Sequence, residues 1–373
     1  MAIAAGIQRS DALKPLRILS LPKYDRLGAS SRLRSLQYSP WLESAGLQVQ
    51  VQPLLADALL QSRYQHGDYR AADLLAPYWN RYNALLSRSS FDLLWIEKEA
   101  LPWWPLWLEL ALLRGVPYVL DYDDAIFHNY DRHSSAFIRH VYGKRVDGLM
   151  SRATLVLCGN EYLAQRAREA GAPWVEVLPT VIDLGRYNGE HNKKASQADG
   201  LPRVVWIGSP ATVHYLQVAH HPLQILASKV PFVLRVIGGG VVQLPGIQVE
   251  TVPWSEKTEE ISVAAGDVGI MPLYDSPWER GKCGYKLIQY MACGLPVVAS
   301  PIGMNSEIVR DGITGLLADT PDQWVQALER LLTHDEERAK MGREGRTRVE
   351  AVYCIQQTGP RVAQLLQRAA RGK

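Results

Sequence analysis

The chain has 373 residues, more than one ordinary core accommodates, so about two domains are expected. With 47% hydrophobic and 21% charged residues it reads as a soluble globular protein. A net charge of +3 over so large a surface gives no footprint for nucleic acid, and none is expected as a partner.

From the N-terminus, MAIAAGIQRSDALK lacks the longer apolar core of a signal peptide, and no apolar run approaches the ~20 residues of a membrane span. The four cysteines, Cys158, Cys283, Cys293 and Cys354, have neither zinc-like nor redox spacing. Reduced thiols and a cytoplasmic location are therefore expected.

Apolar runs then alternate with helical patterns. Leu16–Leu21 and Leu47–Val51 read as strands, with a helix over Ser30–Ser44 capped by Ser30 or Ser31. Phe91–Ile96, Pro117–Leu120 and Thr154–Cys158 continue the series. This βαβ signature predicts a parallel sheet covered on both faces. The segment LPWWPLWLELALL, 101–113, has two readings, a buried crossover helix or a tryptophan-rich patch at a membrane surface. The polar stretch DLGRYNGEHNKKASQADGLP, 183–202, reads as a linker. Alternation restarts with Arg203–Ile207, Phe232–Ile237, Ile247–Thr251, Val268–Met271 and Pro296–Ala299. A last helix over Cys354–Arg371 is placed to return to the first domain. The expected division is 1–183, linker 184–202, 203–353 and the helix 354–373, with ligand sites where strand ends of the two domains face one another.

Five segments could carry chemistry. In SPWERGKCGYKLIQYMACGLPVVAS, 276–300, Arg280, Lys282 and Lys286 crowd a turn at Gly284 where a helix begins. Free amides, the positive end of the macrodipole and a glycine make this a site for an anion, a diphosphate above all. Lys282, Lys286 and Gln289 form one stripe; Leu287, Ile288 and Met291 face the core. A solvated basic turn is the plain alternative. The second, WIGSPATVHYL, 206–216, places Gly208 and Ser209 at a strand end, with Thr212 expected to cap a helix. The third, VIGGG at 236–240, does not complete a dinucleotide fingerprint, because Gln243 stands where the third glycine belongs. The fourth is YVLDYDDAIFH, 118–128, whose Asp121, Asp123 and Asp124 could bind a metal, orient hydroxyls or act as a base, beside Glu99 of the preceding EKE. Helix capping with solvation explains the same aspartates, and no His or Cys stands at metal-ligand spacing. The fifth, YDRLGASSRLRS, 24–35, offers Gly28, Ser30 and Arg32 to an acceptor or a phosphate, or is a plain capping loop.

MACGLPVVASPIGMNSEIVRDGITGLLAD, 291–319, together with LPTVID at 178–183 and the returning terminal helix, resembles the glycosyltransferase family 4 enzymes of GT-B fold. The resemblance is strong over 266–319 and weak in the N-terminal half. It implies two Rossmann-like doubly wound domains facing a cleft, and a retaining, metal-independent transfer of sugar from a nucleotide-diphosphate donor, without a cofactor. The expected donor is a UDP- or GDP-sugar. The expected acceptor is a saccharide or lipid-linked sugar, in polysaccharide or glycolipid synthesis, with peripheral membrane association. It also implies roles: Asp123 near the anomeric carbon; Arg280, Lys282 and Lys286 on the diphosphate; Gly208, Ser209, Thr212, Gly284, Gln289 and Glu307 on the donor; Gly28, Arg32 and Glu99 toward the acceptor. Two departures stand out. The family's glutamate pair falls on Gly281 and Gln289, and its Arg/Lys pair on Ser209 and His214. They leave two rivals, a non-catalytic partner subunit that binds nucleotide sugar or docks at a membrane, and a nucleotide-sugar epimerase of the same fold.

Overall fold

The structure, a computed structural model, describes residues 15–187 and 200–372. Most of the expected linker and the N-terminal 14 residues lie outside those residues.

Six strands form the first sheet: β1 (Leu16–Leu21), β2 (Leu47–Val51), β3 (Leu93–Glu97), β4 (Tyr118–Tyr122), β5 (Leu155–Cys158) and β6 (Val175–Val177). All its pairings are parallel, in the order β2-β1-β3-β4-β5-β6. The second sheet holds β7 (Arg203–Ile207), β8 (Val233–Ile237), β9 (Val249–Val252), β10 (Val268–Met271), β11 (Val297–Ala299) and β12 (Gly315–Leu317). It is also wholly parallel, in the order β12-β11-β10-β7-β8-β9. Central strands such as β3, β4, β7 and β8 are buried at every position, and their sequences are near-continuous apolar runs. Edge strands β6 and β12, three residues each, leave no such run and escape sequence reading.

Each sheet is covered on both faces. Leu19, Leu94 and Leu120 point to one side of the first, Ile18, Trp95 and Val119 to the other. The helix Ile355–Ala370 closes that second side: Ile355, Val362 and Leu366 pack with Ile18, Trp95 and Leu155. The last helix thus returns to the first domain, where the Tyr38 hydroxyl meets Thr358 Oγ1 at 3.1 Å.

Where a helix was expected over Ser30–Ser44, the chain forms three pieces: Ala29–Arg34, a 3₁₀ turn Leu36–Tyr38, and Ser39–Ser44. Pro40 lacks the amide a continuous helix needs there and sits instead in the first turn of the last piece. Neither serine caps. Ser30 donates to the Asp123 carboxylate and Ser31 to Glu97 Oε2 at 2.5 Å, and Gly28 is the residue at the helix entry.

Doubly wound sheets bind ligands where the strand order reverses. Here those points lie between β1 and β3 in the first sheet and between β7 and β10 in the second. A cleft of about 740 Å³ runs between them.

Candidate active site

The second domain's side of the cleft is built from two turns. Gly208 follows β7 so tightly that a Cβ on it would lie 2.5 Å from the Trp206 ring and 2.7 Å from Thr212 Oγ1. The floor there is bare backbone. Thr212 lines the cleft but caps nothing: it lies inside a 3₁₀ turn, Pro210–Tyr215, and its hydroxyl donates to the Ser209 carbonyl at 3.0 Å. His214 turns away, its Nδ1 at 3.1 Å from the Ala211 carbonyl.

After β10 comes a short helix, Pro277–Arg280, and then the basic turn. Gly284 has φ +65, which glycine tolerates and branched residues resist, and it opens the helix Tyr285–Ala292 with no side-chain cap. That leaves the first amides of an eight-residue helix facing the cleft. Lys282, Lys286 and Gln289 line it too. Lys282 Nζ lies 3.7 Å from Asp124 Oδ1 of the first domain and 5.5 Å from the centre of the Tyr215 ring. Lys286 Nζ stands over the Trp206 ring at 5.5 Å, and among the described residues no carboxylate pairs with it. Burial, and then the charge of Lys282, push its pKa down to about 8, against a pull upward from Asp124. A phosphate would give it the counter-charge it lacks.

The first domain's side carries carboxylates. Asp123 and Asp124 follow β4, and Glu97 ends β3. Between them stands Lys98, its Nζ 2.8 Å from Asp123 Oδ1 and 3.4 Å from Asp124 Oδ2. Asp121 faces the opposite way, its carboxylate accepting from Arg34 Nε at 2.8 Å inside the core; burial raises its pKa to about 6 against the pull of Arg34. Arg32 lines the cleft and ties the domains together, stacked 4.7 Å from the Trp254 ring and 3.8 Å from Glu259.

Four sequence assignments are corrected by these positions. Arg280 is exposed and forks onto Asp275 at 2.8 and 3.0 Å, because its short helix ends by pointing to solvent. Glu307 is exposed in a turn of helix behind the cleft, its carbonyl bound by Arg348. Glu99 is buried against Arg145 at 2.8 Å, because the backbone at Lys98 adopts φ +65 and breaks strand alternation. Gly28 is not among the cleft residues; a Cβ there would meet Tyr24 Cβ at 2.3 Å, so its role is packing. Sequence reading missed Lys98, Trp254 and, from the helix Asp57–His66, Gln61, Tyr64 and Gln65, all but Lys98 lining the cleft. The positive charge of Lys98 inside EKE was the one available signal.

At Gly281, where the resemblance puts the first glutamate, a side chain has no room. A Cβ at Gly281 would lie 2.5 Å from Ala125 Cβ and 2.8 Å from Ala125 N, in the other domain. Beside it the Cys283 thiol donates to the Asp123 carbonyl at 3.1 Å, and Asn160 Nδ2 donates to the Lys282 carbonyl at 3.1 Å. The basic turn therefore docks on the first domain where a glutamate side chain would have to pass. Glu279, two residues earlier, accepts from Tyr215 at 2.6 Å and from Ser276 and does not replace it.

Comparison with known proteins agrees with this architecture. A family model described as "Glycosyl transferases group 1" matches residues 201–334. D-inositol 3-phosphate glycosyltransferase of Paenarthrobacter aurescens is 36% identical over 89 residues, 23% of this chain and 21% of that protein. The Mycobacterium bovis protein of the same name is 30% identical over 182 residues, 42% of this chain and 36% of its own length. The chain thus spans between about a fifth and about a third of these curated relatives. Sucrose-phosphate synthase from Thermosynechococcus elongatus superposes with TM-score 0.69 at 15% identity, over 96% of this chain and all of that one. Anabaena HepE, solved in complex with UDP-glucose, superposes with TM-score 0.70 at 16% identity, over 94% and 99% of the two chains. Residues 201–334 match the glycosyl transferases group 1 model, and the two sheets together form the GT-B fold.

Proposed function

We propose that this protein is a retaining, metal-independent glycosyltransferase that moves a sugar from a UDP-sugar to a saccharide or lipid-linked acceptor. The observation that carries the proposal is Lys286: a half-buried cation with no carboxylate partner among the described residues, beside Lys282 and the open end of a helix, in the cleft of a GT-B fold. The names of the matched relatives support transfer of a sugar, and the UDP-glucose complex of a protein with the same fold favours uridine over guanosine.

The residues divide the reaction between them. Lys282, Lys286 and the amides after Gly284 bind the diphosphate, and Gln289 offers an amide to the ribose diol. The bond between the anomeric carbon and the leaving phosphate oxygen breaks, and its electron pair goes to the diphosphate, whose charge the two lysines stabilise. The acceptor oxygen bonds to the same face of that carbon and its proton passes to the departing phosphate oxygen. Asp123, ionised, steadies the oxocarbenium-like charge between these events. Metal independence is supported by Lys98, whose ammonium already fills the space between the carboxylates of Asp123 and Asp124.

Peripheral membrane association, and with it polysaccharide or glycolipid synthesis, rests on a different surface. Trp79, Trp103, Trp107 and Phe137 are 64%, 46%, 71% and 71% exposed on the first domain. Trp103 stacks edge-on with Tyr142 of the helix Ala136–Tyr142, whose last turn carries Arg139 and His140. Aromatic rings beside cations suit an anionic lipid surface. Flotation with anionic liposomes tests this, and protein that stays wholly in the soluble fraction excludes it.

The transferase proposal is tested by a thermal-shift screen of nucleotide sugars followed by turnover assay, since a ligand bound to the native state raises Tm. No stabilisation by any nucleotide sugar and no released UDP would end it.

A further inference from the structure

Lys98 is not among the residues that line the cleft, yet the fold goes to some length to place it. It follows β3 at the point where the first sheet reverses order, and β1 beside it leads to Ser30. Its backbone is left-handed, φ +65, a conformation that a residue with a long side chain keeps only when its surroundings compel it. The side chain is 8% exposed. Its Nζ donates to Ser30 Oγ at 3.0 Å and lies 2.8 Å from Asp123, 3.4 Å from Asp124 and 3.7 Å from Glu97. Ser30 in turn donates to the second oxygen of Asp123. One buried ammonium is shared by three carboxylates that would otherwise repel one another.

On the reading of the cleft given above, we infer that Lys98 is the positioning residue for Asp123, holding its carboxylate ionised and turned to the reacting centre. The groups around Asp123 set the direction. Arg34 and Ser30 act on it from the helix Ala29–Arg34, Glu97 and Lys98 from the end of β3, Asp121 by charge from β4, and Cys283 from the second domain, while Asp124 beside it is met by Lys282. Burial raises the Asp123 pKa, but Lys98, by charge and by hydrogen bond, then Ser30 and Arg34, outweigh it and hold the group below the usual aspartate range. Without Lys98, burial and the neighbouring carboxylates prevail and Asp123 takes up a proton at higher pH.

The test is carboxyl titration by carbon-13 NMR on full-length protein labelled at aspartate, with the Asp123 resonance identified by its loss in Asp123→Asn. In folded Lys98→Met the midpoint is expected to rise by about 1–3 pH units. UDP affinity should stay within about twofold, because Lys98 does not reach the diphosphate site. The acid limb of kcat should move with the midpoint. An unmoved midpoint, or a loss of UDP affinity as large as that of Lys286→Ala, overturns the inference. Ser30→Ala gives an independent check should the methionine variant not fold: Lys98 remains, so the midpoint must stay below the ordinary aspartate range, and a rise to that range overturns the assignment to Lys98. The titration needs no turnover. A chain that binds UDP but transfers no sugar therefore defeats the transferase proposal and not the pairing of Lys98 with Asp123.

Discussion

The two walls of the cleft treat their cations in opposite ways. On the first domain's side, Arg32 lines the cleft tied to Glu259 and Trp254, while behind the lining Lys98 is shared by three carboxylates and Arg34 is paired with Asp121. On the second domain's wall, Lys286 has no carboxylate partner among the described residues, and Lys282 has only a long contact with Asp124. A paired buried cation fixes its surroundings, whereas an unpaired one is poised for a charge that arrives with a ligand. On the proposed function, the difference separates a wall that orients from a wall that binds.

The comparison can be broken at either wall. The largest expected effect is Asp123→Asn, which should lower kcat about 10²- to 10⁴-fold while leaving UDP affinity nearly intact. Next is Lys286→Ala. A charge-assisted bond to phosphate is worth roughly 1.5–3 kcal/mol, so calorimetry should show UDP binding weakened about 10- to 10²-fold. Gly281→Ala should destabilise by about 1–3 kcal/mol, since its Cβ meets Ala125 across the domain contact, and denaturant unfolding reads this directly. Smaller is a pH effect. The Lys286 pKa is lowered to about 8, so the free protein holds the protonated form below that pH and loses it above. UDP affinity should fall as pH rises past about 8. The smallest effect belongs to Arg280→Ala: its pair with Asp275 is exposed and outside the cleft, so UDP affinity should change by less than about twofold.

The two walls also differ in how far they are legible in sequence. Lys282, Gly284, Lys286 and Gln289 lie within eight residues of one another, at a turn whose glycine and helix start are both visible. Local chemistry was enough to expect them together, and all four line the cleft. Arg280 sits in the same run, but a short helix that no periodicity announces turns it outward. On the other wall, Ser30, Lys98 and Asp123 come from three separate segments, and only the sheet order brings them together. Strand alternation favours Glu99 over Lys98, and the left-handed backbone at Lys98 reverses that choice without any mark in the sequence. The glycine at 281 is equally silent: its reason is Ala125, in the other domain. The fold itself was more open to reading, because buried parallel strands are apolar throughout; the short edge strands β6 and β12 were the exceptions.

The central claim is that the basic turn after β10 receives a nucleoside diphosphate. Calorimetric titration of UDP into the full-length protein and into Lys286→Ala, in the same buffer at pH 7, tests it most directly. The account predicts a single binding event in the native protein that is weakened about 10- to 10²-fold in the variant. Equal affinities in the two proteins, or no heat from the native protein at millimolar UDP, would contradict it.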